Sequence, residues 1–360
     1  MTVYYLAETE ESYDINKLRI AGGKARVDVL VILEKMGFER IDVRYERNAD
    51  GSVLTKLLGH FRAYRLLMRA FSTLKKGDSL IVQFPLETHT IFIGRIMRHL
   101  AKRGVRTILL VHDLEMFRFR LLSSVSPLEK LRMKIEEREA LEWASRVIVH
   151  NDRMQEELSE MLNASSKRIV KLDLFDYLTD WCPKDGEEQL PCEPVIIAGN
   201  LARKKAGYIY CLPSNQRFNL FGTNLEDGYQ KANVLYQGSF PAEELPSHLE
   251  GSFGLVWDGP SDKTCEGAFG GYLRINNPHK TSLYLASGIP VIIWSKAALA
   301  GFVTENCVGF TVESLDEINE RLKTLSNEDY QEMRENARRL SARLRSGYYT
   351  KRAITEALED

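Results

Sequence analysis

The sequence predicts an α/β protein built from two doubly wound domains, and three observations support this fold class. The chain has 360 residues, which is long for a single hydrophobic core. Short β-rich runs alternate with longer helical segments along both halves, which is typical of parallel sheets covered by helices on both faces. Residues 177–194 (YLTDWCPKDGEEQLPCEP) are polar, contain three prolines and interrupt the alternation. We therefore interpret this segment as an interdomain linker.

The first half is predicted to form a parallel sheet of five strands. The strand-like runs are Val3–Leu6, Ile41–Tyr45, Ser79–Gln83, Thr107–Val111 and Arg146–Val149. The helical patterns between them cover Lys24–Met36, Leu54–Leu74, Ile91–Arg103 and Leu128–Ala144. Strands that alternate with helices of this length indicate βαβ units.

The second half repeats this alternation with seven predicted strands. These are Val195–Ala198, Tyr208–Leu212, Phe218–Phe221, Val234–Tyr236, Gly254–Trp257, Val291–Trp294 and Gly309–Val312. The predicted helices are Pro241–Leu249, Lys280–Ala286, Leu315–Leu325 and Asp329–Ala342. Ligands of doubly wound sheets bind beyond the carboxyl ends of the strands, so we expect a ligand in the cleft between the domains.

Composition and charge exclude several classes of protein. The net charge of -1 gives no global argument for nucleic-acid binding. The five cysteines form no CxxC pair and the histidines form no ligand-spaced cluster, which argues against a disulfide framework and a metal site. The first residues have no basic region typical of a secretory signal, and no apolar run is long enough to span a bilayer. We expect a cytoplasmic protein.

Two polar sites follow strands of the first domain. Gly22 and Gly23 open the first predicted helix, where backbone N–H groups and the helix dipole favour an anion. A tight strand-to-helix connection explains the same glycines and is the simpler interpretation. His112 and Asp113 end an apolar strand, where ligand-contacting residues are found. Asp113 could instead cap the next helix, but a cap leaves His112 unexplained.

Two further sites in the second domain carry positive charge. Gly199 and Asn200 follow its first strand and precede Arg203 and Lys204, an arrangement suited to phosphate or to a solvated basic turn. In the segment GGYLRINNPHK, Gly270 and Gly271 allow a flexible approach, and residues 276–280 precede a helix. Backbone amides, an Asn amide and the Lys280 ammonium would converge on one anion there.

Arg203 and Lys280 together predict a diphosphate rather than a single carboxylate. The chain contains no DxD motif, so the charge of a diphosphate leaving group would be neutralised by basic side chains and helix N-termini rather than by a metal.

These motifs resemble those of GT-B glycosyltransferases. More narrowly, the chain is similar to the bacterial accessory glucosyltransferases of serine-rich adhesins and the galactofuranosyltransferases of surface polysaccharides. The matching segments are VQFP, VHD, GN-x-x-R, FGLVW, NNPHK-x-SLYLASGIPVI-x-W-x-KAA and SGYYTKRAITEAL. They extend over nearly the whole chain, and the long C-terminal motif is the specific one.

The resemblance implies that UDP binds to the C-terminal domain. It assigns Arg203 and Lys280 to the diphosphate and Tyr236 to the nucleoside, and it places Asn277 and His279 beside the diphosphate and the donor sugar. The acceptor would enter over the N-terminal domain, near Gly22, Gly23 and His112. His112 and Asp113 are the catalytic candidates.

One position departs from the common GT-B pattern. Where that pattern carries a pair of glutamates eight positions apart, this chain has Ile275 and Leu283. The contacts to the sugar hydroxyls and the retaining or inverting outcome therefore stay open.

The resemblance also implies domain boundaries and a reaction. Its terminal helix, which crosses back onto the first domain, corresponds to Ser346–Leu358, which gives an N-terminal domain of 1–178 plus 344–360 and a C-terminal domain of 190–343. The expected reaction transfers glucose or galactofuranose from a UDP-sugar to a glycan or glycosylated-protein acceptor, without a metal or another cofactor. The alternatives are a non-catalytic partner subunit and another GT-B enzyme such as a UDP-sugar epimerase.

One predicted helix carries charge of a single sign. Its apolar residues Leu57, Phe61, Tyr64, Met68 and Phe71 define a stripe, which predicts a core-facing side. The segment 52–77 contains six lysines and arginines and no acid: Lys56, Arg62, Arg65, Arg69, Lys75 and Lys76. We expect weak, salt-sensitive attachment to the inner membrane surface; self-association stays open.

Overall fold

The computed structural model describes residues 1–10, 21–45, 53–119, 126, 131–162, 168–183 and 190–359. The chain forms two compact units. The first comprises Met1–Ile15, Val29–Leu172 and Thr350–Asp360, and the second comprises Asn16–Asp28 and Asp173–Tyr349. These units differ from the predicted domains at residues 16–28, 173–178 and 344–349, and the predicted boundaries stay a proposal. Six residues of the predicted linker, 184–189, lie outside the described part of the chain.

The first unit contains a parallel sheet with the strand order β2-β1-β3-β4-β5-β6. The strands are β1 (Val3–Glu10), β2 (Glu39–Tyr45), β3 (Ser79–Phe84), β4 (Arg106–Val111), β5 (Arg146–Val149) and β6 (Ile169–Lys171). All five predicted strands are confirmed. Strand β6 was missed because three residues are too few to show a period.

The helices described in this half of the chain are α1 (Ala21–Lys35), α2 (Val53–Ala70), α3 (Ile93–Lys102), α4 (Glu115–Phe119), α5 (Glu139–Trp143) and α6 (Asp152–Leu162). The predicted helix at 128–144 starts outside the described residues. Its later part is a π-helical turn, Lys134–Arg138, followed by α5. Sequence reasoning did not predict α4 or α6.

The buried side of α2 is not the predicted one. Leu57 and Phe61 of the predicted stripe are 47% and 49% exposed, whereas Ala63 and Leu67 outside it are at most 7% exposed. Of the predicted stripe, only Phe71, just after the end of α2, is buried. The prediction was wrong because the sequence contains two overlapping stripes with steps of three or four residues. The stripe with the small Ala63 is the one buried within the unit.

The second unit contains a parallel sheet with the strand order β12-β11-β10-β7-β8-β9. Its strands are β7 (Val195–Asn200), β8 (Phe218–Thr223), β9 (Val234–Gly238), β10 (Phe253–Val256), β11 (Val291–Trp294) and β12 (Gly309–Val312). The predicted strand Tyr208–Leu212 is wrong, because Gly207–Cys211 forms a 3-10 helix with Tyr208 and Ile209 buried. A short apolar run does not distinguish a strand from a buried turn of helix.

The helices of the second half are α7 (Arg203–Ala206), α8 (Leu245–His248), α9 (Gly267–Tyr272), α10 (His279–Ala286), α11 (Ala300–Glu305), α12 (Ile318–Thr324), α13 (Asn327–Ser346) and α14 (Tyr348–Leu358). The helix predicted over Pro241–Leu249 is reduced to α8. Helix α9 occupies the segment expected to be flexible.

Both sheets have a topological switch point. In the first sheet, β2 and β3 lie on opposite sides of β1, and in the second, β8 and β10 lie on opposite sides of β7. Ligands of doubly wound sheets bind at the carboxyl ends of the strands that flank such a point. Ligand-binding residues are therefore expected at the carboxyl ends of β1 and β3 and of β7 and β10.

Candidate active site

A pair of glycines forms the carboxyl ends of β7 and β8. Gly199 and Gly222 are opposite each other in these strands and have φ angles of +133° and +143°. A Cβ atom on Gly222 would lie 1.7 Å from the Gly199 carbonyl oxygen, so this close approach requires glycine. Tyr236 of β9 is 46% exposed, and its hydroxyl donates to the Gly222 carbonyl at 2.9 Å. The structure thus places the predicted nucleoside residue beside the predicted phosphate turn.

Arg203 projects from α7, just after this turn. Its guanidinium donates to both carboxylate oxygens of Glu226, at 2.8 and 2.9 Å, and its Cζ lies 3.8 Å from the centre of the Tyr210 ring. The hydrogen bond from Arg203 lowers the pKa of the Glu226 carboxyl. The Arg203 side chain is 60% exposed, so it remains accessible to a ligand.

Lys280 is held inside the second unit. Its Nζ donates to the Trp257 carbonyl at 2.9 Å and to Asp258 Oδ1 at 2.8 Å, and its side chain is only 12% exposed. We expected a lysine at the surface, and the structure corrects this expectation. Asp258, which follows β10 at the switch point, was missed from the sequence although a polar residue directly after the apolar run FGLVW is such a signal.

Asn277 and His279 also contact the protein itself. The Asn277 amide donates to the Asp173 carbonyl at 2.7 Å. The His279 ring stacks on Tyr177 with centroids 5.2 Å apart, and its Nε2 lies 3.3 Å from the Asp176 carbonyl oxygen. Burial lowers the pKa of His279 to about 4, so the ring is neutral at pH 7. Its Nδ1 is buried and has no hydrogen-bond partner within the described residues.

Tyr284 fixes the position of α10 against the sheet. A Cβ atom on Gly254 of β10 would lie 2.1 Å from the Tyr284 ring, so the ring lies directly on the strand. The Ala198 N–H of β7 donates to the Tyr284 hydroxyl oxygen at 2.8 Å. The N-terminus of α10, with His279 and Lys280, is thereby held at the switch point between β7 and β10.

Gly270 and Gly271 do not form a flexible segment. Both are buried within α9, and a Cβ atom on Gly270 would lie 2.5 Å from the Asp258 carbonyl oxygen. Glycine is needed here because α9 packs closely against the backbone that follows β10.

His112 lies at the carboxyl end of β4 in the first unit. Its backbone N–H donates to the Phe84 carbonyl at 2.7 Å, and its Nε2 lies 2.6 Å from Oε1 of Gln83 on β3. Gln83 is 6% exposed and fixes the orientation of the imidazole. The neighbouring Asp113 forms an ion pair with Arg118. Gln83 was missed from the sequence, although a polar residue near the end of the buried strand SLIVQF is such a signal.

Other carboxylates line the same edge of the first sheet. Glu8, near the end of β1, accepts from the backbone N–H groups of Glu87 and Thr88 at 3.1 and 2.8 Å, across the switch point. Glu137 accepts from two backbone N–H groups at the start of α4, and burial raises its pKa to about 7. The sequence offered no signal for Glu8 or Glu137, because each acts through contacts distant along the chain.

Gly22 and Gly23 lie in the first turn of α1, as predicted. The next residue, Lys24, is buried, and its Nζ donates to Asp28 Oδ1 at 2.5 Å and to the Leu178 carbonyl at 2.6 Å. Burial raises the pKa of Asp28 to about 6. The acceptor role of the glycines stays a prediction.

Within the described residues, no group of three or more His, Cys, Asp or Glu side chains is arranged to hold a metal ion. No helix in that part of the chain is long and apolar enough to cross a membrane.

Comparison with known proteins identifies the family. The domain described as "Glucosyltransferase 3-like, N-terminal domain" matches residues 13–173, and "Glucosyltransferase 3-like, C-terminal domain" matches residues 195–357. A β-1,6-galactofuranosyltransferase, WbbI of Escherichia coli K12, is 35% identical over 95% of this chain and 96% of its own. Glucosyltransferase 3 of Streptococcus parasanguinis is 25% identical over 79% of this chain and 80% of its own.

Solved structures share the fold at low sequence identity. A trehalose-phosphate synthase (UDP-forming) of Burkholderia vietnamiensis has a TM-score of 0.60, 10% identity and coverage of 99% of this chain and 98% of its own. A sucrose-phosphate synthase of Thermosynechococcus elongatus has a TM-score of 0.58, 14% identity and coverage of 99% and 97%. Both sheets and these likenesses confirm the GT-B fold. The chain belongs to the glucosyltransferase 3-like family of GT-B glycosyltransferases.

Proposed function

We propose that the enzyme transfers a hexosyl group from a UDP-sugar to a hydroxyl of a glycan or glycosylated-protein acceptor, without a metal. The observation that carries this proposal is the 35% identity to a galactofuranosyltransferase along 95% of the chain. The match to glucosyltransferase 3 of Streptococcus parasanguinis has lower identity and lower coverage, and that of Streptococcus gordonii covers only 37% of this chain. Galactofuranose is therefore the first donor to test and glucose the second. The bacterial relatives support a cytoplasmic location, with weak peripheral attachment to the inner face of the cell membrane.

The donor diphosphate is proposed to bind at the switch point of the second sheet. The accessible Arg203 and the N-terminal turn of α10 supply the positive charge that a metal supplies in other enzymes. Lys280 adds positive charge from the first turn of α10, where its ion pair with Asp258 fixes the position of the ammonium group. Tyr236 is assigned to the nucleoside, and Asn277 orders the turn before α10.

Neutral histidines are proposed to bind hydroxyl groups. If His279 donates its Nε2–H to the Asp176 carbonyl, the lone pair of Nδ1 can accept a hydrogen bond from a hydroxyl group of the donor sugar. His112 is the proposed catalytic residue, either bonding the donor sugar or taking the proton of the acceptor hydroxyl. Donation from His112 Nε2 to Gln83 leaves Nδ1 as the acceptor, so Gln83 is a positioning residue. Asp113, paired with Arg118, is the second catalytic candidate.

The acceptor is proposed to bind to the first unit. The carboxyl ends of β3 and β4 present His112. Gly22 and Gly23 belong to the second unit, and their backbone N–H groups at the start of α1 are proposed to bind an anionic group of the acceptor. A homo-oligomer is not required by any of these contacts.

The test is metal-free UDP release from UDP-galactofuranose, UDP-glucose and other UDP-sugars, with UDP binding measured in parallel by calorimetry. We expect turnover with one hexose donor. His112→Ala should lower turnover by on the order of 100-fold or more and leave UDP affinity nearly unchanged. Gln83→Glu should stabilise the imidazolium and move the acidic limb of the pH–rate profile to higher pH. UDP binding without turnover for every donor would instead indicate a non-catalytic partner subunit, and interconversion of UDP-sugars an epimerase.

A further inference from the structure

Helix α2 exposes apolar side chains that its own unit does not cover. Leu57, Leu58 and Phe61 are 47%, 51% and 49% exposed, and Leu66 is 36% exposed. Between Lys56 and Arg69, every exposed side chain of the helix is either apolar or basic. We define these eight residues as the α2 surface: Lys56, Leu57, Leu58, Phe61, Arg62, Arg65, Leu66 and Arg69.

The basic side chains of this surface form no ion pairs within the described residues. Helix α2 contains no Asp or Glu, and its basic residues form no ion pair within the part of the chain that the structure describes. Arg95 of α3 is also exposed and lies over the Phe92 ring at 5.2 Å, and Phe92 packs edge-on against Tyr64 of α2. The positive field therefore continues from α2 to the start of α3.

The α2 surface lies at the same edge of the first sheet as His112. The Thr90 hydroxyl donates to the His60 carbonyl at 2.9 Å, and His60 Nδ1 lies 3.3 Å from the His89 carbonyl oxygen. Residues 85–92 directly follow β3, whose parallel neighbour β4 ends at His112. The first turns of α2 are thus at the carboxyl end of the strands that carry the proposed catalytic residue.

We propose that the α2 surface docks on an anionic lipid membrane, with Leu57, Leu58 and Phe61 inserted below the headgroups and the arginines bound to them. This inference rests on the proposed function and deepens it, because it makes the acceptor a membrane-borne glycan presented at the carboxyl edge of the first sheet. Helices with apolar and basic residues lie in this way in membrane interfaces.

Charge complementarity selects the occupant. Cores of protein–protein interfaces are depleted in charge, whereas basic residues interleave with the exposed apolar residues of this surface throughout. Anionic headgroups can neutralise each basic residue of the α2 surface without a matched acidic side chain at each position.

The experiment is co-sedimentation of the full chain with phosphatidylcholine vesicles, with and without phosphatidylglycerol, at low and high salt. We expect binding to the anionic vesicles that weakens with salt. The triple variant Arg62→Gln/Arg65→Gln/Arg69→Gln should bind less by about fivefold for each residue. Leu57→Ser/Leu58→Ser/Phe61→Ser should lose roughly tenfold or more at either salt.

Matched controls separate this surface from general charge and hydrophobicity. Arg153→Gln/Lys323→Gln/Arg339→Gln removes three exposed charges elsewhere, and Leu190→Ser removes an exposed leucine; both should bind like the parent. Unchanged hydrolysis of the UDP-sugar by each variant shows that it is folded and keeps the two proposals separable. No vesicle binding, or binding that both triple variants retain, overturns the inference. If the protein self-associates but does not bind vesicles, and the variant Leu57→Ser/Leu58→Ser/Phe61→Ser abolishes the self-association, the α2 surface binds a second copy of the chain instead.

Discussion

The two basic residues assigned to the diphosphate differ in their surroundings, and this difference is measurable. Lys280 is 12% exposed and paired with Asp258, whose side chain is 9% exposed, whereas Arg203 is 60% exposed and paired with Glu226. Removal of one partner of a buried pair leaves the other charge uncompensated. Both residues should contribute to UDP affinity, but only Lys280 should also support the fold.

We expect Lys280→Ala to lower the free energy of unfolding by about 3 kcal/mol and Arg203→Ala to leave it nearly unchanged. Each should weaken UDP binding by roughly 1.5–3 kcal/mol, the range for hydrogen bonds to charged groups. Urea unfolding and calorimetry with UDP measure the two quantities. Lys323→Ala, which removes an exposed lysine of α12, is the control and should change neither. Unaltered UDP affinity in both variants would place the diphosphate elsewhere.

At the scale of elements, α10 owes its position to a glycine in the strand beside it. Gly254→Ala would place a methyl group 2.1 Å from the Tyr284 ring. Overpacking of this kind costs about 1–3 kcal/mol, and the displaced α10 should bind UDP more weakly. Urea unfolding and calorimetry measure both effects.

The matched control is Gly301→Ala on α11. An added Cβ there meets only the Glu305 carboxylate at 3.7 Å, so the variant should be neutral or stabilised by up to about 1 kcal/mol. Equal behaviour of the two variants would show that the close packing on Gly254 does not position α10.

The elements also show what the sequence could predict. Ten of the predicted strand segments, each a continuous apolar or β-branched run, became strands within two or three residues of the expected bounds. Burial on both faces of the sheet leaves a pattern that can be recognised without knowledge of the rest of the fold. The run Tyr208–Leu212 and the stripe of α2 misled because each has two packings compatible with the same periodicity.

Candidate site residues could be proposed from the sequence where a residue follows a strand, and not where a distant chain segment supplies its partner. Asn200, Arg203 and His112 could be proposed because each lies just beyond an apolar run. The partners Gln83 and Glu226 were not found, since hydrogen bonds over 20 or more residues leave no local signal.

At the scale of the whole molecule, each compact unit contains a buried histidine with a lowered pKa and a buried carboxyl group with a raised pKa, and these have opposite effects on the pH dependence of stability. Burial lowers the pKa of His150 and of His279 to about 4, so their contributions are full above pH about 6.5 and are lost as the pH falls toward 4. Burial raises the pKa of Glu137 to about 7 and of Asp28 to about 6. Their contributions are full at low pH and are lost as the pH rises. The two effects partly cancel between pH 5 and 7.

Glu137→Gln should remove this compensation in the first unit. As the pH is lowered from 7 to 5, the parent gains stability because Glu137 takes up a proton, and the variant lacks this gain. Over this interval, the free energy of unfolding of the variant should therefore fall by about 2 kcal/mol relative to that of the parent. Urea unfolding at the two pH values measures the difference. Glu142→Gln, which removes an exposed carboxylate paired with Arg138, is the control. A parallel pH dependence in Glu137→Gln and the parent would contradict the assignment.

The ion pair between Arg203 and Glu226 has a consequence for nucleotide release if Arg203 binds the diphosphate as proposed. A solvent-exposed pair adds little net stability, so Glu226 would release the guanidinium to an incoming diphosphate at little cost. After transfer of the sugar, the same carboxylate would pair with the arginine again as the nucleotide leaves. Glu226 would then act as an internal counter-ion that exchanges with the ligand once per turnover.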